Sequence, residues 1–490
     1  MPEVYQADIP VWDQSVGCKA SAVVHFLLPH EVFETMSGDT PSLWTAVGEN
    51  TSMRRLRDES AQRVGIPDDE VEDIVGVGLW GDCAPFSKAD SLMLLLWNCM
   101  FYDKYARYWI CVMPKHLFCR CGCLGRCTTE AILRVVSWAF GVWLSGEEPT
   151  YRHDDVPFHQ SKRRGDRKRA KRARKKLKKK AIVVQSRQDW QWLKQVLGLI
   201  GWRAEGPQKR VCFRCLAGLT GLYIFTDPSM AANWRDTLLN DSEFIQDQML
   251  RFFSVFWSIP GMTASKLVLD LMHVGCLGIV QYFLGNLFLE LYFKLGGNSN
   301  ETKSRQVLGE IVLMVKHCTK MAGLKKTPLN NLTLAMLRPD GKDPRLKLKA
   351  ADSRHMVMVA YYLFMHIQPA QGSYETMRFH CLEALYLFYE AVKARDSLGY
   401  GKLARKHVML YCELAKARHY VPFEYCRYRH YPKHHLFIHL AEEDPELHGC
   451  PIDSWNYTDE STIGICVKSV GDCAQNASAI QRTAIDKYRL

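Results

Sequence analysis

The chain has 490 residues, 47% hydrophobic and 11% aromatic, so it can bury a large core and form two or three structural units. Its start, MPEVYQADIPVWDQ, lacks the features of a secretory signal, and 18 cysteines then indicate a reducing compartment rather than a disulfide-stapled secreted protein. Residues 162–180 carry 14 Lys or Arg and one Asp, a net +13 against +12 for the whole chain, which leaves the remainder at about −1.

Residues 1–75 are predicted to be mostly helical and contain no recognisable motif. The pattern then changes, because three short apolar runs bounded by polar or turn residues follow one another at hairpin-like spacing, and these predict an antiparallel meander. A helix with a threonine cap and a further strand are predicted after it. The three runs are residues 73–82, 91–97 and 106–113, the helix is 128–144 and the later strand is 181–185.

The basic run at 162–180 is self-repelling and is predicted to be disordered on its own, within a segment spanning 152–180. Such a run suits nuclear import or sequence-independent contacts with nucleic-acid phosphates. A solvated linker is the alternative, although so many cations are costly to cluster without a polyanion. The predicted nucleic-acid-binding residues are Lys162, Arg163, Arg164, Arg167, Lys168, Arg169, Lys171, Arg172, Arg174, Lys175 and Lys176.

Residues 230–430 predict a helical block, because long apolar-periodic segments are separated by clusters of Pro and Gly. The most apolar segment, 266–295, contains Asp270, His273 and Glu290, which favours a buried helix over a membrane span. The six predicted helices are 242–258, 264–295, 303–322, 351–367, 374–394 and 400–418.

Two pairs of metal-ligating residues flank most of this block. Cys212 and Cys215 have C-x2-C spacing, and His435 and His439 lie one helical turn apart, as tetrahedral zinc requires. A shared zinc ion would make the residues between them an insertion whose two ends are pinned together. Because the chain has 18 Cys and 17 His, a chance C-x2-C is the alternative.

Three acidic residues are expected where strand or helix ends would place them in one cleft. Asp82 follows the first strand of the meander, Asp189 follows the strand after the helix, and Glu460 opens the last helix. Two or three such carboxylates can hold a pair of divalent ions that perform phosphoryl transfer. The alternative is that acids occur at these positions by chance, because the chain has 52 acidic residues. The nearest substitutes are Asp90, Asp352 and Asp459.

Asp270 and His273 place an acid and an imidazole on one face of an apolar helix or at its entry. One interpretation is that they hydrogen-bond only to each other. The other is that they orient the metal or the cleaved phosphate without binding the metal directly. A separate cluster of four cysteines either binds a second zinc or forms a metal-free turn. That cluster is Cys119, Cys121, Cys123 and Cys127.

Five motifs in a fixed order resemble the catalytic core of eukaryotic cut-and-paste DDE transposases. The chain is similar to the CACTA-related group, and to transposase-like proteins of protists and especially dinoflagellates, over about residues 76–490. The motifs are GLWGDCAPFSK, QDWQWLKQVLGLIGW with CFRC, LDLMHVGCLG, PKHHLFIHL and WNYTDES.

The resemblance implies an α/β RNase H-like catalytic core interrupted by a large all-α insertion. Asp82, Asp189 and Glu460 match the family's three acids, which hold Mg²⁺ or Mn²⁺. Asp270 and His273 match the C/D-x2-H signature at the start of such insertions. The implied units are an N-terminal region 1–75, the first part of the core 76–211, a zinc-clasped helical insertion 212–434, and the C-terminal part of the core with its acidic helix, 435–490.

Cys212, Cys215, His435 and His439 match the family's split zinc site, with His434 as a competing ligand because H-x4-H is also used. The family implies a nuclear DNA transposase, with DNA as partner, a homodimer as candidate assembly, and neither a membrane nor a small-molecule substrate. The alternative is a catalytically inactive, domesticated derivative that binds nucleic acid. The chain departs from the family in its basic run and in having no recognisable DNA-binding module before residue 76.

Overall fold

A mixed six-stranded sheet surrounded by helices forms the centre of the protein. The computed structural model describes residues 3–47, 51–88, 90–102, 105–199, 209–249, 252–339, 343–367, 373–417 and 428–471. The strands are β1 Tyr5–Asp13, β2 Cys18–Phe26, β3 Val75–Pro85, β4 Ser91–Cys99, β5 Tyr108–Pro114 and β6 Ala181–Ser186.

Fifteen α-helices are assigned in the described residues, together with several short 3₁₀ turns. The first five are α1 Pro29–Met36, α2 Thr51–Arg63, α3 Arg126–Ser145, α4 Asp166–Arg172 and α5 Trp190–Leu197. The next seven are α6 Asp241–Met249, α7 Val280–Lys294, α8 Glu301–Met321, α9 Leu334–Leu337, α10 Ala350–His366, α11 Ser373–Ala394 and α12 Ser397–Lys416. The last three are α13 Pro432–Glu442, α14 Asp444–His448 and α15 Tyr457–Gly471.

The strand order is β1-β2-β5-β4-β3-β6. All neighbours are antiparallel except β3 and β6, which run parallel. The successive strands β3, β4 and β5 confirm the predicted meander. Gly81 lets a helix approach β3 closely, because a Cβ there would lie 2.7 Å from the side chains of both Leu95 and Trp192 of α5.

Helices cover both faces of the sheet at β6. Val183 belongs to the main core together with residues of α3, whereas Ile182 and Val184 belong to a second cluster with Met53 and Leu56 of α2. Successive side chains of a strand point to opposite faces, so a continuous apolar run is what a strand buried on both faces requires. The acidic helix α15 packs on β3 and β4.

The expectation of a mostly helical N-terminal region is wrong for residues 5–26. β1 and β2 pair over nine residues as a hairpin at the edge of the sheet, before α1 and α2. Tyr5, Ala7, Ile9 and Val11 are buried at alternate positions, the period expected of a strand with one covered face. This alternation is visible in the sequence, but the strand is completed only by its pairing with β2.

The expectation of a disordered basic segment is also wrong, because residues 152–180 are ordered against the core. The segment contains α4, and Arg169 is only 2% exposed, with its guanidinium 2.8 Å from the carboxylate of Glu31. Arg152 pairs with Asp166, and Arg172 pairs with both Glu31 and Glu148. Carboxylates of the protein itself therefore neutralise part of the run, and the repulsion within it no longer prevents folding.

The helical block largely follows its prediction, although among the described residues of 242–258 only α6 and a 3₁₀ turn, Val255–Ser258, are helical. Its most apolar helix is a π-helical segment, Met272–Ile279, that continues into α7. Met272–Lys294 is long and apolar enough to cross a membrane, but 89% of its most apolar window is buried inside the protein. It is therefore the buried core helix that its polar residues predict.

Candidate active site and metal centre

The three predicted acids come together at one edge of the sheet. Asp82 lies in the last part of β3, and Asp189 caps α5 three residues after β6 ends. Because β3 and β6 are parallel, their carboxyl ends lie at the same edge. Glu460 lies in the first turn of α15, which packs on β3. Residues 82, 189 and 460 thus meet although they are far apart in sequence.

The charges of these carboxylates act on each other. Burial and the neighbouring charges of Asp189 and Glu460 raise the pKa of Asp82 to about 8. Burial also raises the pKa of Glu460, where Asp270 and Asp189 add to the effect. The Oε1 atom of Glu460 is buried without a hydrogen-bond partner among the described residues. Carboxylate oxygens are the ligands that hard divalent cations prefer.

Local hydrogen bonds fix two of the carboxylates. The backbone N–H of Trp192 donates to Asp189 Oδ1 at 2.5 Å, so Asp189 is the N-cap of α5. The backbone N–H of Cys83 donates to Asp82 Oδ1 at 2.6 Å. Each interaction holds one oxygen, which restricts the orientation of the carboxylate as a whole.

Asp270 and His273 belong to the same site. Asp270 Oδ2 accepts a hydrogen bond from the His273 backbone N–H at 3.0 Å and lies 2.6 Å from its Nδ1. On the other side of the ring, His273 Nε2 is 3.8 Å from Glu460 Oε1. Burial opposes protonation, but Asp270, Glu460 and Asp189 raise the pKa of His273 to about 9. Asp270 and His273 therefore do more than hydrogen-bond to each other. The protonated ring of His273 places a positive charge beside Glu460.

The substitute acids have other roles in the fold. Asp459 is fully buried and pairs with Arg107, and Arg187 lies 3.6 Å from it. Asp90 accepts a hydrogen bond from the backbone N–H of His116 at 3.0 Å and pairs with its ring. Asp352 lies in the first turn of α10, within the helical block.

The two halves of the predicted zinc site meet, which confirms their pairing. The ligand atoms of Cys212, Cys215, His435 and His439 all lie within 4.8 Å of one another, and all four residues are buried. Sulfur-to-Nε2 distances are 3.2–3.6 Å, and the two Nε2 atoms are 3.0 Å apart. A tetrahedral zinc ion would hold sulfur and nitrogen ligands about 3.5 Å apart. This group can therefore bind a metal such as zinc.

Neighbouring groups orient the zinc ligands. Glu443 hydrogen-bonds to Nδ1 of His439, and the ring centroid of Trp234 lies 4.4 Å from that of His435. Arg210 Nε donates to the carbonyl oxygens of Cys212 and Cys215 at 2.9 Å each. A carboxylate on the second nitrogen of a ligating histidine is common at metal sites, and its i+4 spacing from His439 was the available sequence signal.

The pKa values make Cys212 the thiolate of the pair, because burial and the neighbouring Cys212 raise the pKa of Cys215. Burial would raise the pKa of Cys212, but Cys215, His439 and His435 lower it well below its usual value. His434, the competing ligand, faces elsewhere, because its Nδ1 accepts a hydrogen bond from the backbone N–H of Tyr431 at 3.1 Å. The histidines that join the two cysteines in this group are therefore His435 and His439.

The basic run divides into internal and exposed residues. Arg169 and Arg172 are held in the ion pairs described above, and Arg163 and Lys168 pair with Asp8 and Glu3. The burial of Arg169 is not compatible with its predicted contact to DNA. Among the predicted nucleic-acid-binding residues, the exposed cations that form no ion pair with another described residue are Lys162, Arg164, Arg167, Lys171, Arg174, Lys175 and Lys176.

The run also lies away from the acids. The carbonyl oxygen of Lys180 accepts a hydrogen bond from the backbone N–H of Val75 at 2.9 Å, so the run ends where β3 and β6 begin. Asp82 and Asp189 lie at the opposite, carboxyl ends of these strands. The basic run and the carboxylates therefore lie toward opposite ends of β3 and β6.

A cavity of about 300 Å³ adjoins Asp189 and His273. Tyr282 and Tyr431 pack with ring centroids 4.2 Å apart, and the Arg345 guanidinium lies over Tyr282 at 5.4 Å. The residues that line the cavity also include Trp190 and Lys433. Sequence reasoning missed this cavity, because its walls come from segments that are distant along the chain.

No protein-family model matches this chain, and no curated protein matches it. The function is therefore inferred from the geometry of the carboxylate cluster, the Cys/His centre and the surfaces around them.

Proposed function

We propose that this protein is a DNA transposase, a nuclease and strand transferase that uses divalent metal ions held by Asp82, Asp189 and Glu460. The observation that carries the proposal is the convergence of these three carboxylates from β3, the end of β6 and α15. Three half-buried carboxylates side by side, with the pKa values of Asp82 and Glu460 raised, are unfavourable unless a cation or protons balance them. A structural ion pair would balance them with Arg or Lys, as it does at Asp459.

We also propose that β3, β4, β5, α3 and β6 form an RNase H-like core. The support is their arrangement: an antiparallel meander, then a helix packed on the sheet, then a strand parallel to the first. In such a core, the acids at the adjacent carboxyl ends of β3 and β6 form the base of the site. The helical block between them and Glu460 is then an insertion.

When bound, Mg²⁺ or Mn²⁺ would activate water or a 3′-hydroxyl and stabilise the leaving oxygen. Side chains of the protein itself position the acids and balance their charge. Asp189 is fixed as the N-cap of α5, and His273 lies 3.8 Å from Glu460 with its pKa raised to about 9. The protonated imidazole is thus in place to hold Glu460 and to balance the charge of a phosphate beside it.

The cavity next to Asp189 suits a nucleotide beside the cleaved bond. The aromatic side chains of Trp190, Tyr282 and Tyr431 would contact a base, and Arg345 and Lys433 offer charges to a phosphate. Lys433 Nζ donates to the carbonyl oxygen of His273 at 2.9 Å, so this wall is connected to the carboxylate site. The exposed cations of the basic run would bind more distant phosphates and direct the protein to the nucleus.

The zinc centre has a structural role in this proposal. Its four protein ligands leave no open position for a substrate, as in structural sites. A zinc ion there joins the segment at Cys212 to α13, and α13 leads through α14 to α15. It thereby helps to return Glu460 to the acids of the sheet.

Cleavage of labelled duplex DNA tests the proposal. Wild-type protein should nick DNA only with Mg²⁺ or Mn²⁺, and Asp82→Asn should abolish nicking while leaving DNA binding intact. Asp352→Asn, an acid of the helical block, is the matched control and should cleave normally. Binding without any effect of divalent ions would instead favour a non-catalytic nucleic-acid-binding protein, and cleavage that survives Asp82→Asn would overturn the assignment.

A further inference from the structure

The loop between β5 and α3 gathers four thiols outside the carboxylate cluster and the Cys212 centre. The sulfur atoms of Cys119, Cys121, Cys123 and Cys127 all lie within 4.8 Å of one another, and all four cysteines are free. Cys121 Sγ and Cys127 Sγ are 3.8 Å apart. A disulfide would need about 2.05 Å between the sulfurs. Four thiolates around a tetrahedral zinc at about 2.3 Å are separated by about 3.8 Å.

We propose that these four cysteines bind a second structural zinc ion, independent of the Cys212 centre and of the carboxylate cluster. The ligand set consists of thiolates alone, which selects zinc or another soft divalent ion over Mg²⁺. All four coordination positions are supplied by the protein, as in a closed structural site. The proposal holds whether or not the protein cleaves DNA.

The backbone of this loop turns sharply around the four sulfurs. Gly122, Leu124 and Gly125 all adopt left-handed conformations, with φ of 90°, 54° and 86°. A leucine rarely adopts this region, and Leu124 is also 81% exposed, so its own packing does not hold it there. Hydrogen bonds from Gly125 N to the Cys119 carbonyl at 3.1 Å and from Arg126 N to the Cys123 carbonyl at 3.0 Å close the turn around the sulfurs.

The loop is attached to the edge of the sheet. The backbone N–H of Cys119 donates to Thr128 Oγ1 at 2.9 Å, and that hydroxyl donates to the carbonyl oxygen of Pro10 in β1 at 2.6 Å. Lys19 Nζ of β2 lies 3.9 Å from Cys127 Sγ. A zinc ion here would therefore fix the start of α3 against the β1–β2 hairpin. The lysine and the N-terminus of α3 would balance the negative charge of a four-thiolate zinc.

A third group of potential metal ligands is already neutralised by arginine side chains. His30, Glu31 and Glu148 also lie within 4.8 Å of one another. Arg172 pairs with both of these glutamates, and Arg169 pairs with Glu31. Arginine side chains already neutralise that group, so it needs no metal ion. No arginine pairs with the four sulfurs among the described residues.

Metal content tests the proposal directly. Full-length wild-type protein should contain two zinc ions per chain, one for each cysteine-containing group. The double variant Cys121→Ser/Cys123→Ser should contain one, and Cys18→Ser, an exposed cysteine outside the cluster, should keep both. An unchanged zinc content in the double variant would overturn the proposal.

Cobalt substitution distinguishes the two centres. Co²⁺-loaded wild type should show the intense thiolate-to-cobalt absorption of a four-sulfur site as well as the weaker spectrum of a two-sulfur site. Cys121→Ser/Cys123→Ser should lose the first component alone, and Cys212→Ser should perturb the second. A wild-type spectrum that contains only the two-sulfur component would contradict the second site.

Alkylation of the wild type removes any dependence on variants that fail to fold. Cys121 is exposed and Cys123 half-buried, so free thiols there should react quickly. The proposal predicts that both are protected until a chelator removes the metal, whereas Cys18 reacts at the same rate throughout. Equal rates for Cys121 with and without chelator would show that no metal binds there.

Discussion

Asp270 Oδ1 accepts a hydrogen bond from the backbone N–H of Asn456 at 2.9 Å, although 186 residues separate them. Asp270 is 3% exposed and also accepts from the backbone N–H groups of Met272 and His273. The backbone N–H of Glu460 in turn donates to the carbonyl oxygen of Asn456 at 2.8 Å. One buried carboxylate therefore ties the start of the π-helical segment to the start of α15 and sets the position of Glu460.

Asp270→Ala should disturb both stability and the carboxylate site. It leaves buried backbone N–H groups without their charged acceptor, so we expect a loss of about 2–3 kcal/mol in the free energy of unfolding. It also removes the partner that raises the pKa of His273. Denaturant unfolding measures the first effect and DNA cleavage the second. Asp352→Ala should change neither, and equal stability of the two variants would contradict the role of Asp270.

The pKa of Asp82 makes stability depend on pH when no divalent ion is added. Its value of about 8 in the folded protein lies above the usual 3.8, so the folded state binds the proton more tightly than the unfolded state. Stability from this group is fully present below pH 4 and is lost as the pH rises through 8. Asp82→Asn cannot titrate and should show a flatter profile in thermal unfolding scans. If the stability of the two proteins depended on pH in the same way, the pKa of Asp82 would not be raised in the folded protein.

Added Mn²⁺ should reverse this effect. Binding to the carboxylates requires their charged forms, so the melting temperature of the wild type should rise with Mn²⁺ and more strongly at pH 8 than at pH 6. Asp82→Asn should show a much smaller rise. An equal rise in both proteins would place the ion elsewhere.

Much of the site follows from residue types and their order, because metal-binding chemistry restricts both. The acids at 82, 189 and 460 and the Cys/His pairs were recognisable for that reason. Trp234 and the cavity wall at Tyr282 and Arg345 could not be predicted, because their roles arise from contacts between distant segments. Glu443 lies four residues after His439, so its role did leave a local signal in the sequence.

The same distinction explains two errors in the predicted fold. The charge of residues 162–180 was evident, but the neutralising carboxylates Glu31 and Glu148 lie far from the run in sequence. The alternation in β1 was local and could have been found, but its strand is confirmed only by pairing with β2. A strand that forms only by pairing with another strand is difficult to recognise from its own residues alone.

Glu443→Gln should weaken zinc binding at the Cys212 centre without removing a ligand. The carboxylate holds the ring of His439 through its Nδ1, and loss of such a partner lowers metal affinity by about 10–100-fold. Competition with a chromogenic chelator measures this change. Glu446→Gln, in the neighbouring helix α14, should bind zinc as the wild type does. A wild-type affinity for Glu443→Gln would show that the hydrogen bond does not support the metal.

Two kinds of cation in the basic run should respond differently to substitution. Changing Lys162, Arg164, Arg167 and Lys171 together to Gln should weaken DNA binding and reduce the slope of log affinity against log salt, by about one for each phosphate that the variant no longer neutralises. These side chains are exposed, so folding should be unaffected. Unchanged binding and an unchanged slope would remove the run from the DNA-binding surface.

Arg169→Ala is the contrasting variant. Arg169 is 2% exposed beside Glu31, and removal of one partner of a buried ion pair costs about 3–5 kcal/mol. Chemical denaturation should therefore show a large loss of stability. The salt dependence of DNA binding by the folded fraction should stay that of the wild type. A stable Arg169→Ala protein with weakened DNA binding would reverse its assignment from internal pairing to DNA contact.

The rate of DNA cleavage by Glu460→Gln tests the central claim most directly, because Glu460 joins the acids of the sheet only through the folded helical block. The variant keeps the size of the side chain and removes its charge. In a single-turnover assay with Mn²⁺, wild type and Glu446→Gln should cleave labelled duplex at the same rate, and Glu460→Gln should fall to the background without protein. Cleavage by Glu460→Gln at the wild-type rate would contradict a metal site built from Asp82, Asp189 and Glu460.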